Sequence, residues 1–287
     1  MIDNINWYPG HMKKTRELIQ QNLKMVDAVI EVIDARIPVS SRNPIIDELV
    51  KGKPRIIALN KSDLADDKAN KMWIKALEVV VSEGENIVET RVLPMDCMSG
   101  KGVKELFRML ESMEDEKNKT RSMKKPYRLM VVGVPNVGKS SLINRMTGRK
   151  SAKTGDRPGV TKGKQWLKLS NGMQLLDTPG ILWPKFEDPK AGLNLAFCGS
   201  IKDEILDVPT LGMELIGALS DTYPQLLMDR YKLDEICETP LENMENIAQK
   251  RGCILSGKRI DYERTGKMVL DEFRAAKIGR ITLELPE

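Results

Sequence analysis

Two glycines, a lysine and a serine stand at a spacing that suits the binding of phosphate groups. Residues Gly133–Ser140 read GxxxxGK[ST] and follow a short apolar run. Gly133 and Gly138 permit a backbone that turns consecutive N–H groups toward phosphate oxygens. The Lys139 ammonium would act on the β and γ oxygens as a catalytic group, and the Ser140 hydroxyl would bind Mg²⁺. The pattern predicts a nucleoside triphosphate site.

The rest of this phosphate loop and the helix after it add to the expected site. A helix is predicted from Ser141 to Met146, and its positive N-terminal end would face the phosphates. We therefore expect Asn136, Val137 and Ser141 to contact the nucleotide as well.

A second motif, Asn60-Lys-Ser-Asp63, indicates which base is bound. The Asp63 carboxylate can accept from N1–H and N2–H₂ of guanine, whereas adenine has no donor there and would leave a desolvated charge unpaired. Asn60 can reach the six-carbonyl region, and the stem of Lys61 can lie on the base. The motif follows an apolar run, and base-binding loops of open α/β sheets lie at strand ends. Guanine is the predicted base.

A third motif, Asp177-Thr-Pro-Gly180, gains meaning from its position downstream of the phosphate loop. Asp177 would hold Mg²⁺ through water, and the Gly180 N–H would contact the γ-phosphate. Thr161 is the expected second Mg²⁺ hydroxyl, with Thr154 as its competitor.

Short β-branched runs alternate with helical patterns up to about residue 185, which is typical of a mostly parallel sheet with crossover helices. The predicted strands are 28–33, 55–59, 88–94, 128–133, 165–169 and 174–177. The predicted helices are 68–81, 103–113, 141–146, 213–219, 226–231, 241–250 and 262–276. An exposed connection is predicted over 114–125.

The order of these patterns predicts an N-terminal arm (1–15), an α/β nucleotide-binding domain (16–185) and a small all-helical domain (186–287). The boundary between the two domains is expected near 184–189. In the helical part, breaks are expected at Pro209, Pro224, Pro240 and Gly252.

Composition excludes several classes of protein. The chain has 287 residues, of which 41% are hydrophobic and 30% charged, as in globular proteins. It contains no apolar run near the ~18 residues of a membrane helix and no secretory signal pattern. The four cysteines form no CxxC pair and only one histidine is present, so a transition-metal enzyme is not expected. We expect a cytoplasmic protein with reduced thiols and no membrane partner.

Basic residues gather near the carboxyl end. The net charge of +5 is too small to indicate nucleic-acid binding by itself. However, residues 250–280 contain nine basic and four acidic side chains. Few aromatic residues lie among them, so structured RNA fits better than stacked single strands. The same residues also suit the solvated face of a packed helix, and both interpretations can hold together. Arg36 and Arg42, in the loop after the first predicted strand, are compatible with a phosphate contact, an RNA contact or exposure to solvent.

The motifs together resemble the translation-factor-related class of GTPases, in an unusual order. The base motif precedes the phosphate loop, as in a circularly permuted GTPase. More closely, four segments resemble the bacterial ribosome biogenesis GTPase A family, and the resemblance covers essentially the whole chain. These segments are Trp7–Met12, Asp34–Pro38, Ser41–Pro44 and Asp177–Trp183.

The resemblance implies a P-loop GTPase with a circularly permuted, mostly parallel sheet, followed by a small all-helical domain. It implies a GTP-hydrolysing assembly factor that binds the maturing large (50S) ribosomal subunit, both rRNA and proteins, and is released after hydrolysis. We expect a monomer that binds GTP and GDP. RNA contacts are implied for Lys250, Arg251, Arg264, Lys267, Arg274 and Lys277.

Further site residues follow from the same resemblance. The guanine-supporting loop usually reads Ser-Ala, whereas the matching pair here is Asp96-Cys97, so its side-chain contacts would differ. Asn136 resembles the asparagine of potassium-stimulated GTPases, which predicts K⁺ beside Mg²⁺; a loop-stabilising asparagine is the alternative.

The expected water-positioning group differs from that of small GTPases. Ile181 stands where small GTPases have a glutamine after DxxG, and isoleucine cannot orient water. The resemblance implies that His11 takes this role, which its pKa near ~6.5 would permit. Packing of the N-terminal arm is the alternative role for His11.

Two other function classes remain open at this point. A GTP-dependent tRNA-modification partner also uses an asparagine in its phosphate loop, but usually has the ordinary motif order and a folded domain before it. A signalling switch with protein partners alone does not explain the basic tail.

Overall fold

The structure is a computed structural model that describes residues 17, 20–50, 52–83, 86–119, 121, 123, 125–148, 166–176 and 188–286. The strands are β1 (Ala28–Asp34), β2 (Arg55–Asn60), β3 (Val79–Glu83), β4 (Asn86–Pro94), β5 (Arg128–Val132), β6 (Trp166–Lys168) and β7 (Gln174–Leu176). They form a mixed sheet in the order β3-β4-β2-β1-β5-β7-β6.

The helices that bear on the site precede and follow these strands. They are α1 (Pro44–Leu49), α2 (Asp67–Leu77), α3 (Val103–Lys119), α4 (Lys139–Thr147), α5 (Pro189–Phe197), α6 (Val208–Thr222), α7 (Pro224–Tyr231), α8 (Pro240–Arg251) and α9 (Tyr262–Arg274). Within the described residues, each helix is too short or too polar to span a lipid bilayer.

The centre of the sheet is parallel, as the alternating patterns predict. β1 pairs in parallel with β2 and β5, β2 pairs with β4, and β5 pairs with β7; β3 and β6 are antiparallel edges. Every residue of β1 is buried, because helices cover both faces of the sheet. Ile30 packs in one cluster with α3 and α4, while Ile33 faces α2 on the other side. The predicted fold class is confirmed.

Two predicted segments have a different secondary structure over part of their length. The helix predicted over 68–81 ends at Leu77, and Val79–Glu83 form β3 against β4. Three consecutive valines at 79–81 favour a strand because they are β-branched. The predicted connection 114–125 begins as helix, since α3 continues to Lys119. Its last turns are charged and mostly exposed, so they carry little apolar periodicity.

Prolines of the helical domain begin helices rather than separate them. Pro209, Pro224 and Pro240 each lie in the first turn of α6, α7 and α8. Proline suits this position because its missing N–H would have no helical partner there. The sequence patterns did not predict α5, which begins at Pro189, or α1, which begins at Pro44.

The helical part of the chain packs directly on the sheet domain. Ile30 of β1 belongs to the same buried cluster as Phe273 of α9. Residues 280–286 then return to the loops at the carboxyl edge of the sheet. The Leu283 N–H donates to the Arg36 carbonyl (2.8 Å) and the Ile281 N–H to the Leu64 carbonyl (3.1 Å). Domain limits at 15 and 185 lie among undescribed residues and stay a prediction.

Candidate guanine-nucleotide site

The candidate site lies where parallel strands end. β2 ends at Asn60, β4 at Pro94 and β5 at Val132, and in a parallel sheet these carboxyl ends share one edge. The base motif, the Asp96-Cys97 pair and the phosphate loop follow these three strands. Folding therefore brings together motifs that are about 75 residues apart in sequence, as the contacts below show.

The phosphate loop curls tightly because glycine stands at two close approaches. Gly133 (φ 147°) and Gly138 (φ 104°) have dihedral angles that favour glycine. A side-chain carbon at Gly133 would collide with the Val32 carbonyl oxygen, and one at Gly138 would collide with the Asn60 amide. Each glycine thus fixes the loop against a neighbouring strand end.

Lys139 and the two serines after it lie at the start of α4. Lys139 is buried, and its ammonium donates to the carbonyl of Val134 across the loop (2.6 Å). Such a lysine can exchange a carbonyl for phosphate oxygens. Ser140 and Ser141 are half-buried. The Ser141 hydroxyl lies 3.9 Å from the Met98 sulfur, which links α4 to the loop after β4.

Asn60 bridges two loops. Its Nδ2 donates to the Val137 carbonyl (2.6 Å), and its Oδ1 accepts from the Cys97 N–H (2.9 Å). Asn60 is buried, so both bonds are shielded from water. Because both ends of the amide are engaged, Asn60 holds the phosphate loop and the 96–97 loop in register. Contact of Asn60 with the six-carbonyl region of guanine stays a prediction.

Lys61 is held by a buried carboxylate that the sequence analysis did not assign to the site. Its ammonium lies 2.8 Å from Asp34 Oδ2 and donates to the Asn136 carbonyl (3.0 Å). Burial would raise the pKa of Asp34, but Arg36 and Lys61 outweigh it and keep that pKa well below its usual range. Asp34 ends β1, so its place at the same edge could have been read from strand order.

Asp63 is exposed beside these buried groups. Ser62, just before it, is fixed by two bonds to the Met95 carbonyl, one from its N–H (3.1 Å) and one from its hydroxyl (3.0 Å). The backbone that carries Asp63 is thereby anchored while its carboxylate faces solvent. This arrangement suits a group that pairs with an incoming base.

The Asp96-Cys97 loop uses its polar groups to hold its own shape. Asp96 Oδ1 accepts from the N–H of Met98 (2.8 Å) and Ser99 (3.1 Å). Burial opposes the charge, yet bonds from Ser99 and Met98 lower the pKa of Asp96. Burial raises the pKa of the Cys97 thiol to about 12. Direct contact of either residue with guanine stays a prediction.

Four predicted site residues lie outside the described part of the chain. They are His11, Thr161, Asp177 and Gly180. Their predicted roles in water positioning, Mg²⁺ binding and γ-phosphate contact therefore stay predictions.

The described residues fit the two expected metal ions. GTPases generally use magnesium, which would neutralise charge on the phosphates. Among the described residues the Ser140 hydroxyl has no hydrogen-bond partner, so it is available as a Mg²⁺ ligand. Asn136 donates through Nδ2 to the Gly199 carbonyl (2.9 Å), and binding of K⁺ by its Oδ1 stays a prediction.

The six basic residues predicted to contact RNA divide into two groups. Arg251 pairs with Glu272 (2.9 Å), and Arg274 pairs with Asp203 (2.7 Å) and donates to backbone carbonyls of α5. These two guanidinium groups are half-buried and already engaged within the protein, so contact of either with RNA stays a prediction. The other four side chains are exposed: Lys250, Arg264, Lys267 and Lys277.

Arg36 and Arg42 face neither phosphate nor solvent as the sequence allowed. Arg36 is buried and makes a forked contact with Asp34, at 3.0 Å from Nε and 2.8 Å from Nη2. Arg42 is half-buried and bonds Glu31 (3.3 Å) and Asp47 (2.6 Å). Their acidic partners lie nearby in sequence, in β1 and in α1, but the charges alone do not show which residues pair.

Comparison with known proteins agrees with this geometry. Residues 128–232 match the family described as 50S ribosome-binding GTPase, and residues 4–116 match the elongation factor Tu GTP binding domain. The solved structure of GNP-bound YlqF from T. maritima is similar, with a TM-score of 0.67 and 29% identity over 96% of this chain and 99% of that chain.

Curated relatives match the chain nearly from end to end. It is 45% identical to Ribosome biogenesis GTPase A of Priestia megaterium, over 98% of this chain and 97% of the relative. The corresponding protein of Bacillus cereus is 44% identical, over 99% of this chain and 94% of its own. Since such relatives share the whole arrangement rather than one motif, this chain belongs to the ribosome biogenesis GTPase A family and is a GTPase.

Proposed function

We propose that this GTPase is an assembly factor that binds the maturing large ribosomal subunit with GTP and leaves it after hydrolysis. The observation that carries the proposal is the joining of a guanine-nucleotide edge and a basic helical surface through one buried cluster. The match of residues 128–232 to a family described as 50S ribosome-binding GTPase supports it. We propose further that it acts in the cytoplasm as a monomer.

The proposed RNA-facing surface contains fewer basic residues than the nine found in residues 250–280. Arg264 and Lys267 are exposed on α9, Lys277 is exposed just after it, and Lys250 is exposed at the end of α8. Lys250 also pairs with Asp234 (3.3 Å), an exposed contact of small energy that rRNA phosphates would replace. Contacts of this kind read phosphate position rather than base sequence.

Hydrolysis by the free protein is proposed to be slow. Ile181 cannot position water, so His11 is proposed to supply this function on the subunit. K⁺ held by Asn136 would add positive charge where an arginine finger acts in other GTPases. Stimulation by the subunit and by K⁺ follow from this proposal.

Sucrose-gradient sedimentation with ribosomal particles tests the proposal. With a nonhydrolysable GTP analogue we expect the protein in the large-subunit fractions, and with GDP we expect it at the top of the gradient. Lys139→Ala is the control for nucleotide dependence, since it removes the phosphate-binding ammonium and should abolish the difference. Absence from every subunit fraction in both nucleotides would contradict the proposal.

A further inference from the structure

The C-terminal end of α9 contacts two segments outside the nucleotide loops, the loop after β1 and the end of α5 with the segment that follows it. The Arg36 guanidinium lies over the Phe273 ring, 5.4 Å from its centre. The next residue, Arg274, reaches the segment that follows α5. Two adjacent residues of the helical domain thus begin two separate chains of contacts toward the phosphate loop.

The first chain of contacts runs through buried charges. Arg36, packed on Phe273, holds Asp34 in a forked ion pair, and Asp34 holds the Lys61 ammonium at 2.8 Å. Lys61 in turn donates to the Asn136 carbonyl at 3.0 Å. Since Asp34 and Arg36 are both buried, neither can leave the pair without stranding the other as an unpaired buried charge. The chain is therefore stiff.

The second chain of contacts runs through backbone. Arg274 donates from Nη2 to the Ala196 carbonyl (2.9 Å) and from Nε to the Phe197 carbonyl (2.9 Å), and it pairs with Asp203. These bonds fix the backbone on both sides of Gly199. The Gly199 carbonyl accepts from Asn136 Nδ2 at 2.9 Å.

Both chains of contacts end on Asn136, one at its carbonyl and the other at its side-chain amide. Asn136 has a φ of 61°, a left-handed conformation that is uncommon for residues other than glycine and that asparagine adopts more readily than most. Such a conformation persists when its surroundings hold it in place. The two contacts supply that restraint within the phosphate loop itself.

We propose that Phe273 and Arg274 are positioning residues that set the phosphate loop through Asn136. Any shift of α9 relative to the sheet then changes nucleotide affinity, and nucleotide binding changes the position of α9 by the same coupling free energy. This inference concerns the free GTPase and does not depend on ribosome binding. It assigns Arg274 to the nucleotide site rather than to RNA.

Arg274→Gln tests the proposal because glutamine cannot donate to two carbonyls and a carboxylate together. We expect the affinity for fluorescent GDP and for a fluorescent nonhydrolysable GTP analogue to fall about fivefold or more, the lower end of usual coupling between sites. Should this variant fail to fold, Arg274→Lys keeps the charge toward Asp203 and loses the forked donors. The same direction of change is expected for it.

Arg230→Gln is the matched control. Arg230 pairs with Glu272, the residue before Phe273 on α9, with Nε to Oε2 at 2.8 Å, but it comes from α7 and contacts neither nucleotide loop. Its loss should lower the melting temperature as Arg274→Gln does. Nucleotide affinity should stay at the parent value.

The decisive measurement repeats Arg274→Gln in an Asn136→Ala background. If Arg274 acts through Asn136, the fold-change in affinity caused by Arg274→Gln disappears there. An unchanged fold-change in that background would overturn the proposal. Parent-like nucleotide affinity of a folded Arg274→Gln or Arg274→Lys protein would overturn it as well.

Discussion

At the carboxyl edge of the sheet, polar side chains from distant parts of the sequence bind one another. In the helical domain, basic side chains that are close in sequence point to different places. Asn60 joins Val137 to Cys97, whereas Arg274 turns inward and Lys277, three residues further and past the end of α9, is exposed. The polar side chains of the sheet edge are joined in one set of contacts, whereas the basic side chains of the helical domain each have different surroundings.

The difference teaches what a motif encodes and what a composition does not. The position in the fold of a loop motif that follows a parallel strand can be inferred from the sequence, because all such strands end at one edge of the sheet. A run of basic residues does not show which side chains face solvent and which face the protein, since this depends on the residues that pack beside each one. Arg251 finds Glu272 and Arg274 finds Asp203, and neither acidic residue is marked by the charge pattern.

The largest expected effect tests whether His11 of the N-terminal arm acts in hydrolysis at the sheet edge. His11→Ala should leave GTP affinity nearly unchanged and lower subunit-stimulated hydrolysis by about 10²–10⁴-fold, the usual contribution of a positioned acid–base group. Single-turnover hydrolysis on saturating large subunits measures it. Equal rates for mutant and parent would assign the water-positioning role to another group.

The next effect concerns base selection at Asp63. Asp63→Asn should weaken GTP binding by about 1.5–3 kcal/mol for each charge-assisted bond lost, and should favour xanthine nucleotides. Competition between GTP and XTP for the variant gives the preference. Asp66→Asn is a control outside the motif, since Asp66 caps α2 by accepting from the Ala69 N–H (2.8 Å). A variant at Asp63 that still prefers GTP contradicts the base-pairing role.

A change at Asn60 would remove the contacts that join the phosphate loop to the 96–97 loop. Asn60→Ala leaves the Val137 carbonyl and the Cys97 N–H unpaired and buried, at about 1–3 kcal/mol for each group. Both unfolding stability and GDP affinity should fall. Denaturant unfolding and nucleotide titration measure the two effects.

Asn243→Ala is the matched control in the helical domain. Asn243 is buried, and its amide bridges the N–H (2.8 Å) and the carbonyl (3.1 Å) of Cys237. Its loss should lower stability by a similar amount and leave GDP affinity intact. Equal losses of affinity in both variants would mean that the sheet edge is not a separate unit.

A smaller effect sharpens the picture of the basic surface. The triple change of Arg264, Lys267 and Lys277 to Gln should weaken RNA binding and reduce its salt slope by about one unit for each phosphate contact. Titration with large-subunit rRNA at several salt concentrations measures the slope. An unchanged slope would mean that these exposed charges remain in solvent.

The smallest effect compares thiols of the two regions. Cys97 and Cys198 are buried, and burial raises the pKa of each to about 12, so neither should react with iodoacetamide at pH 8 in the folded protein. Cys237 is half-buried and should react first. Mass spectrometry of peptides after brief labelling gives the order. Early labelling of Cys97 would mean that the loop after β4 opens.

The sequence by itself determined the nucleotide chemistry and most of the central sheet. Gly133–Ser140 and Asn60–Asp63 carry spacing that only a few loop conformations satisfy, and β-branched runs mark β1, β2 and β5 because these strands are buried on both faces. Such signals are local, so they can be read without knowing the partners.

Only the tertiary structure decided how these parts hold one another. The pairing of Lys61 with Asp34, the bridge made by Asn60 and the inward turn of Arg274 each join residues from different elements. Local patterns do not encode such pairs, because the free energy of a buried charge or amide depends on the partner that packing supplies. The edge strand β3 was missed for a related reason: Val79–Glu83 extend a helical pattern until β4 offers them a strand to pair with.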